Sequence, residues 1–320
     1  MRKVFYDLLN FKDKEYVDKI DNHEILGASQ QIDIISKILV NMVNENENLE
    51  VNKLLNAIDS LLNYYLNSRG NASRAFINSI REIGKNITED ITNYGDLKNI
   101  VEDSVQNYKE RTDKNLEAIL SYSNNELSVY DDIFLFDFSS TVEKAILSLI
   151  ENHDKVFNIY IAESSAIGGG QPYLSLQNRK NLKLSFFPDA ASLYYLRKCQ
   201  CCLMGAETFY ANGSGFNTIG SDMIGHLCRV TGTKLYFITP MNKLDERRNV
   251  GIRKEIVYLD YSTKYQKSDH LSHDTETTIP ELIDVEPSNI YAYITEFGII
   301  PTDSMYMVSS EYLKNIGGNQ

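Results

Sequence analysis

The sequence predicts an α/β protein: an N-terminal all-helical domain followed by a Rossmann-like, doubly wound parallel-sheet domain. Three observations predict it. Apolar residues recur at helical spacing through the first 125 or so positions, and from Asp132 they gather instead into short runs of four to seven residues. Such runs are expected of parallel strands buried on both faces. Helical segments then fill the gaps after several of those runs, the alternation that winds a parallel sheet. The expected division is a helical domain at 1–126 and a ligand-binding domain at 127–320.

Taken in order, Ile32, Ile35, Ile38, Leu39, Met42 and Val43 follow the i, i+3, i+4, i+7 pattern of one buried helix face. Val51, Leu54, Leu55, Ile58, Leu61, Leu62 and Tyr65 repeat it in the next helix. NENENLE (44–50) and SRGN (68–71) punctuate these helices, and Asp90 to Tyr122 reads as a long polar helix. Strands are expected at IFLFDF (133–138), VFNIYIAE (156–163), LKLSFF (182–187), CCLMGA (201–206) and KLYFIT (234–239). Helices are expected at Thr141 to Glu151, Ala190 to Arg197 and Ile219 to Thr231, and an exposed polar loop at 261–280.

Composition narrows the function. Of 320 residues, 44 are acidic and 32 basic, a formal charge of −12 that repels phosphate backbones, so no nucleic-acid partner is expected. No apolar run approaches the roughly 20 residues of a membrane helix, and the first residues lack a signal-peptide core. No membrane partner and a cytoplasmic location follow as expectations. Cys199, Cys201, Cys202 and Cys228 lack the paired spacing and histidine partners of a zinc site, and the histidines, including HLSH at 270–273, form no ligand motif. Neither a metal nor a cofactor is expected. No nicotinamide site is expected either, because GSGFNTIG has the wrong spacing and no GxGxxG follows the first strand.

The most informative stretch is MGAETFYANGSGFNTIGSDMIGHLCRVTGTKLYFITP (204–240). A buried strand stops at Glu207, a turn rich in glycine and asparagine spans Asn212 to Asn217, and a helix leads to a second buried strand. In a βαβ unit that loop lies at the carboxyl end of a parallel strand, where open α/β sheets hold ligands.

Six segments in order resemble the superfamily of the regulatory α, β and δ subunits of initiation factor 2B and the methylthioribose-1-phosphate and ribose-1,5-bisphosphate isomerases. They are HEILGASQQIDIISKI, SRGNASRAFINSI, FLFDFSSTVEKAIL, FPDAASLYYLRKCQCCLMGAE, MGAETFYANGSGFNTIGS and DVEPSNIYAYITEFGIIPT. The resemblance implies a helical domain on a Rossmann-like domain, a ligand in the cleft between them, and a homodimer through the C-terminal domains.

It also implies site residues. A catalytic cysteine on the first strand and the aspartate of a GAD motif align with Asp137 and Glu207. Substrate-binding positions align with Gly27, Ala28, Arg69, Ser139, Asn212, Gly213 and Asn217, and with the glycine loop Gly168, Gly169 and Gly170. Three family cations are replaced: Leu26, Ser165 and Thr218 stand where arginine, arginine and lysine are usual.

Two functions follow from those departures. In the first, Asp137 and Glu207 form a carboxylate pair whose split pKa values serve acid–base, aldose–ketose isomerisation of a phosphorylated pentose or related polyol. Backbone N–H groups of 165–171 then cradle phosphate. In the second, the pocket binds a sugar phosphate or nucleotide-like ligand without turnover, as a translation-regulatory subunit. Blander roles stay open: Asp137 or Ser139 as a helix cap, Glu207 as a solvated acid, the asparagines as turn formers, the glycines as a loose loop.

Overall fold

The computed structural model describes residues 1–22, 24–25, 28–69, 73–252, 256–262 and 275–316. Contacts gather into two units: residues 1–114 with 310–320, and residues 115–309.

The first unit is built from α1 (Arg2–Tyr6), α2 (Phe11–Asp21), α3 (Ala28–Glu45), α4 (Val51–Arg69), α5 (Arg74–Gly84) and the start of α6 (Tyr94–Leu127). Asn10 caps α2 by accepting from Asp13 N–H at 2.8 Å, which satisfies one of the orphan donors of a helix start. The apolar stripes read from α3 and α4 do meet in one core, where Ile35, Ile38, Leu39, Leu54, Leu61 and Tyr65 are sealed against Phe5, Val17 and Phe76. Burying each large side chain contributes about 1.5–3 kcal/mol, so packing of these faces outweighs helix propensity.

The second unit holds a seven-stranded sheet and two small ones. Its elements run β1 (Asp132–Leu135), α7 (Ser140–Asn152), β2 (Phe157–Ala162), β3 (Leu182–Phe187), α8 (Ser192–Leu196), β4 (Cys201–Met204), β5 (Thr208–Tyr210), β6 (Gly215–Thr218), α9 (Ser221–Thr231) and β7 (Lys234–Ile238). There follow β8 (Leu244–Asp245), β9 (Tyr258–Asp260), β10 (Thr278–Pro280), β11 (Leu282–Val285), β12 (Ala292–Thr295), β13 (Gly298–Pro301) and the start of α10 (Met305–Asn315), whose later residues belong to the first unit.

The main sheet has the order β13-β12-β7-β4-β1-β2-β3. All its pairings are parallel except β12 with β13. Strand order reverses on either side of β1, the switch point of a doubly wound Rossmann-like sheet. Ile133, Phe134 and Leu135 of β1 are fully buried, as are Cys201, Cys202, Leu203 and Met204 of β4, which explains their uninterrupted apolar runs.

The α/β class and the five expected parallel strands are therefore present. The expected turn at 212–217 is different. Only its first residues turn; Gly215 to Thr218 form β6, which pairs antiparallel with β5 and with β11. Leu282 to Val285 of β11 lie some 65 residues later in sequence, so a local reading of glycines and asparagines misses the pairing. Part of the expected exposed loop is also a strand, since Thr278–Pro280 pairs with Tyr258–Asp260; the HLSH motif at 270–273 lies outside the described residues.

The four thiols are buried and unpaired in disulfides. Burial pushes those of Cys199, Cys201 and Cys202 up, away from the reactive thiolate. Among the described residues no group of three or more His, Cys, Asp or Glu side chains could hold a metal ion, and no helix is long and apolar enough to cross a membrane.

Candidate functional site

Strand β1 ends at Leu135, and two residues later the chain turns at Asp137 with φ 60. Left-handed backbone is uncommon outside glycine, and Asp is among the residues that tolerate it best. The turn aims a carboxyl group inward: Asp137 is only 6% exposed. Thr218 Oγ1 donates to Asp137 Oδ2 at 2.7 Å, and Asp137 N–H donates to Ser164 Oγ at 2.8 Å. The Phe138 backbone and the Asn217 side chain also hydrogen-bond this carboxyl group.

Burial dominates its ionisation. Desolvation pushes the Asp137 carboxyl above the usual range; its hydrogen bonds to Thr218, Phe138 and Asn217 oppose this, and the like charge of Glu207 adds to the rise. That last effect is the smallest, yet it places Glu207 within electrostatic reach. Glu207 itself is half-buried at the carboxyl end of β4, and its N–H donates to Phe216 O at 3.0 Å.

A stability consequence follows. A carboxyl group whose folded pKa is raised contributes fully below its unfolded value, and that contribution is lost as pH rises through the folded value. Asp137→Asn removes the titration while leaving an oxygen for Thr218. The variant is expected to gain thermal stability over wild type as pH climbs from about 4 to about 8, with the two converging at the acid end. Melting curves across that range check it; a constant difference would show that Asp137 does not titrate with a raised value.

Ser139 follows two residues on and caps α7, its Oγ accepting from Val142 N–H at 3.4 Å. Its own N–H donates to the buried Tyr173 hydroxyl at 3.0 Å. The helix-cap role thus falls to Ser139 and not to Asp137, which leaves the aspartate's burial without a capping explanation. Ser139→Ala is expected to cost about 1 kcal/mol, read as a shift of the urea midpoint with an unchanged slope. Gly205, at the end of β4, packs so close that a Cβ there would sit 2.5 Å from Ser139 Cβ, which holds the β1 and β4 ends together.

The glycine loop provides space more than donors. A Cβ on Gly169 would overlap Asp137 Oδ1, and one on Gly170 would overlap Ala162 O. Gly168 takes φ +69. The N–H groups of Gly168 and Gly169 both point to Ser164 O, at 2.8 and 3.3 Å, and that of Gly170 to Glu163 O at 3.0 Å. Ser164 and Ser165 N–H donate to the two oxygens of Asp189, each at 2.8 Å, and Ser165 Oγ donates to the same carboxylate. The seat expected to cradle phosphate thus already holds a carboxylate of the chain itself. Asp189 in turn fixes Ser164 (φ 51), whose hydroxyl oxygen receives the Asp137 N–H.

Sequence reasoning missed Ser164, Asp189 and Thr218 as parts of this arrangement. Thr218 could have been found, because it occupies a family lysine position, but its bond to Asp137 depends on the β6–β11 pairing. Asn217, a substrate-binding position by the resemblance, lies beside Asp137, and its Nδ2 donates to Ser221 Oγ at 3.2 Å.

Other expected residues fall elsewhere. Asn212 Oδ1 accepts from Ser214 N–H at 3.1 Å and from Ser214 Oγ at 2.8 Å, a side-chain turn at the far end of β6 from Thr218. Asn212 also lines a cavity of about 370 Å³ with Arg248, Asn249 and Gly251. Gly213 has φ +83 and abuts Thr302, while its carbonyl accepts from Tyr293 OH at 3.1 Å. Both are spent on the hairpin turn. Ala28 begins α3 in the first unit; Gly27 and the Arg69 side chain lie outside the described residues.

Comparison with known proteins agrees with this architecture. The chain is 20% identical over 305 residues to ribose 1,5-bisphosphate isomerase of Methanocaldococcus jannaschii, covering 93% of this chain and 94% of that one. The translation initiation factor eIF-2B of Pyrococcus horikoshii OT3 superposes with a TM-score of 0.71 at 17% identity, over 92% of this chain and 98% of that one. The 5-methylthioribose 1-phosphate isomerase of the same organism also gives 0.71, at 16% identity, over 94% and 88%. The model of the initiation factor 2 subunit family matches residues 25–302, and the chain belongs to that family.

Proposed function

We propose that this protein is a sugar-phosphate isomerase-like enzyme acting on a phosphorylated pentose or related polyol. The observation that carries the reading is Asp137: a carboxyl group buried at the switch point, with its pKa raised by desolvation and a second acid, Glu207, within electrostatic reach. Burying a carboxyl group costs stability, so its placement at a ligand-binding edge favours chemistry over structure. Moving a proton between adjacent sugar carbons requires one group to take it and another to protonate the oxygen. Asp137, its carboxyl pushed up by burial, serves as the acid, and Glu207 as the base. The isomerase relatives support this chemistry; substrate identity, residue roles and pairing as a homodimer in the cytoplasm belong to the same proposal.

Calorimetric titration against ribose 1,5-bisphosphate, 5-methylthioribose 1-phosphate and a nucleotide panel, followed by product analysis, tests it. Ketose product supports the enzyme. Heat without product supports the second reading, a non-catalytic regulatory subunit, which the eIF-2B fold likeness favours.

A further inference from the structure

We propose that Arg248 forms a second ligand site, for a small molecule bearing a phosphate or carboxylate group, apart from the Asp137 cluster. The cavity of about 370 Å³ lined by Asn212, Arg248, Asn249 and Gly251 takes no part in the chemistry above. It lies at the Asn212 end of β6, whereas Thr218, which bonds Asp137, lies at the other end. Ser214 and Thr218 are about 13 Å apart along the strand, so the two sites are separate.

The bonding around Arg248 decides what the cavity accepts. Its Nη1 donates to Ser214 Oγ at 2.9 Å and to Asp284 Oδ1 at 3.1 Å, which uses both protons of that nitrogen. The guanidinium carbon sits 4.6 Å from the centre of the buried Tyr210 ring, a contact that holds the planar group in place. Among the described residues Nε and Nη2 have no hydrogen-bond partner. Those two nitrogens form the edge of the fork that meets two oxygens of one anion side by side. Ser214 passes its own hydroxyl proton to Asn212 Oδ1 at 2.8 Å, and the same oxygen takes the Ser214 N–H. Asn212 is left with its amide N–H groups to offer. Arg247, the neighbouring cation, is spent on the buried Asp245 carboxylate. The unspent groups are therefore donors around one positive charge, and the half-buried Asp284 is the counter-charge that an arriving anion must share. A tie between β11 and the hairpin needs Nη1 alone; the held, unspent edge goes beyond it.

The Arg248 Nε–H signal in ¹⁵N-arginine-labelled protein, assigned by its loss in Arg248→Lys, tests this in titrations with inorganic phosphate and with malonate. A saturating shift of that signal is expected, and the anion that saturates it at the lower concentration names the group the ligand carries. Asp284→Asn removes the competing carboxylate and is expected to tighten binding about 2–5-fold. Arg248→Lys keeps the charge but loses the fork, and calorimetry with the better probe is expected to show binding weakened about 10-fold. Melting curves confirm that both variants fold. No shift with either anion, or a shift that never saturates, overturns the proposal. So does binding in Asp284→Asn no tighter than in wild type. Because the signal reports on Arg248 itself, failure of the isomerase reading leaves this result untouched.

Discussion

Asp137→Asn is expected to lower turnover of a phosphorylated pentose about 10²–10⁴-fold, the usual contribution of a positioned general acid. The asparagine keeps the shape and leaves an oxygen for the Thr218 hydroxyl, so ligand affinity is expected to change little. Loss of kcat with KM preserved identifies an interaction made during the reaction and not in ground-state binding. Glu207→Gln is expected to lose activity on the same scale. The pH profile adds a sign: as pH rises through the raised value of Asp137 the acid form disappears, and wild-type activity falls on the alkaline side. Full activity in both variants would remove the carboxylate pair from the chemistry.

The glycine loop gives the second large effect, and an ordering that is hard to obtain by chance. Gly170→Ala directs a methyl group at Ala162 O, with the Ala162 and Glu163 carbonyl carbons 3.0 and 3.1 Å away. All of these are backbone atoms at the end of β2, which cannot swing aside, so a loss of about 2–4 kcal/mol in stability is expected. Gly169→Ala directs its methyl group at the Asp137 carboxyl group and lies 3.2 Å from Asp137 Cα. It displaces the proposed acid, and activity is expected to fall further than stability. Gly168→Ala meets nothing closer than the Gln171 side chain at 3.6 Å and bears only its left-handed backbone, about 1–2 kcal/mol. Urea unfolding and initial rates on the three variants check the order. Equal effects at all three positions would show a loop without a specific role around Asp137.

Features carried by periodicity were legible in the sequence. The heptad-like stripes of α3 and α4 and the apolar runs of β1, β2, β4 and β7 depend on local burial, and each occupies the element expected of it. Asp137, Glu207 and Asn217 were singled out by the resemblance, and the structure places Asp137 just past the end of β1, Glu207 just past β4 and Asn217 within β6. What stayed hidden was non-local. β6 pairs with β5 before it and with β11, which returns beside it from some 65 residues later, and Thr218 at its end bonds the Asp137 carboxyl group. Asp189 fills the 164–165 seat from the far side of β3, so a glycine-rich loop that reads as a phosphate cradle is already satisfied by the chain.

The catalytic reading rests on burial pushing the Asp137 carboxyl above its ordinary value at the sheet's carboxyl edge. Its carboxyl carbon can be followed directly by NMR of ¹³C-labelled aspartate, with the signal assigned by its absence in Asp137→Asn. A midpoint clearly above the ordinary value of about 4 is predicted. An ordinary or lowered midpoint would contradict it, because a carboxylate ionised throughout the neutral range cannot donate the proton.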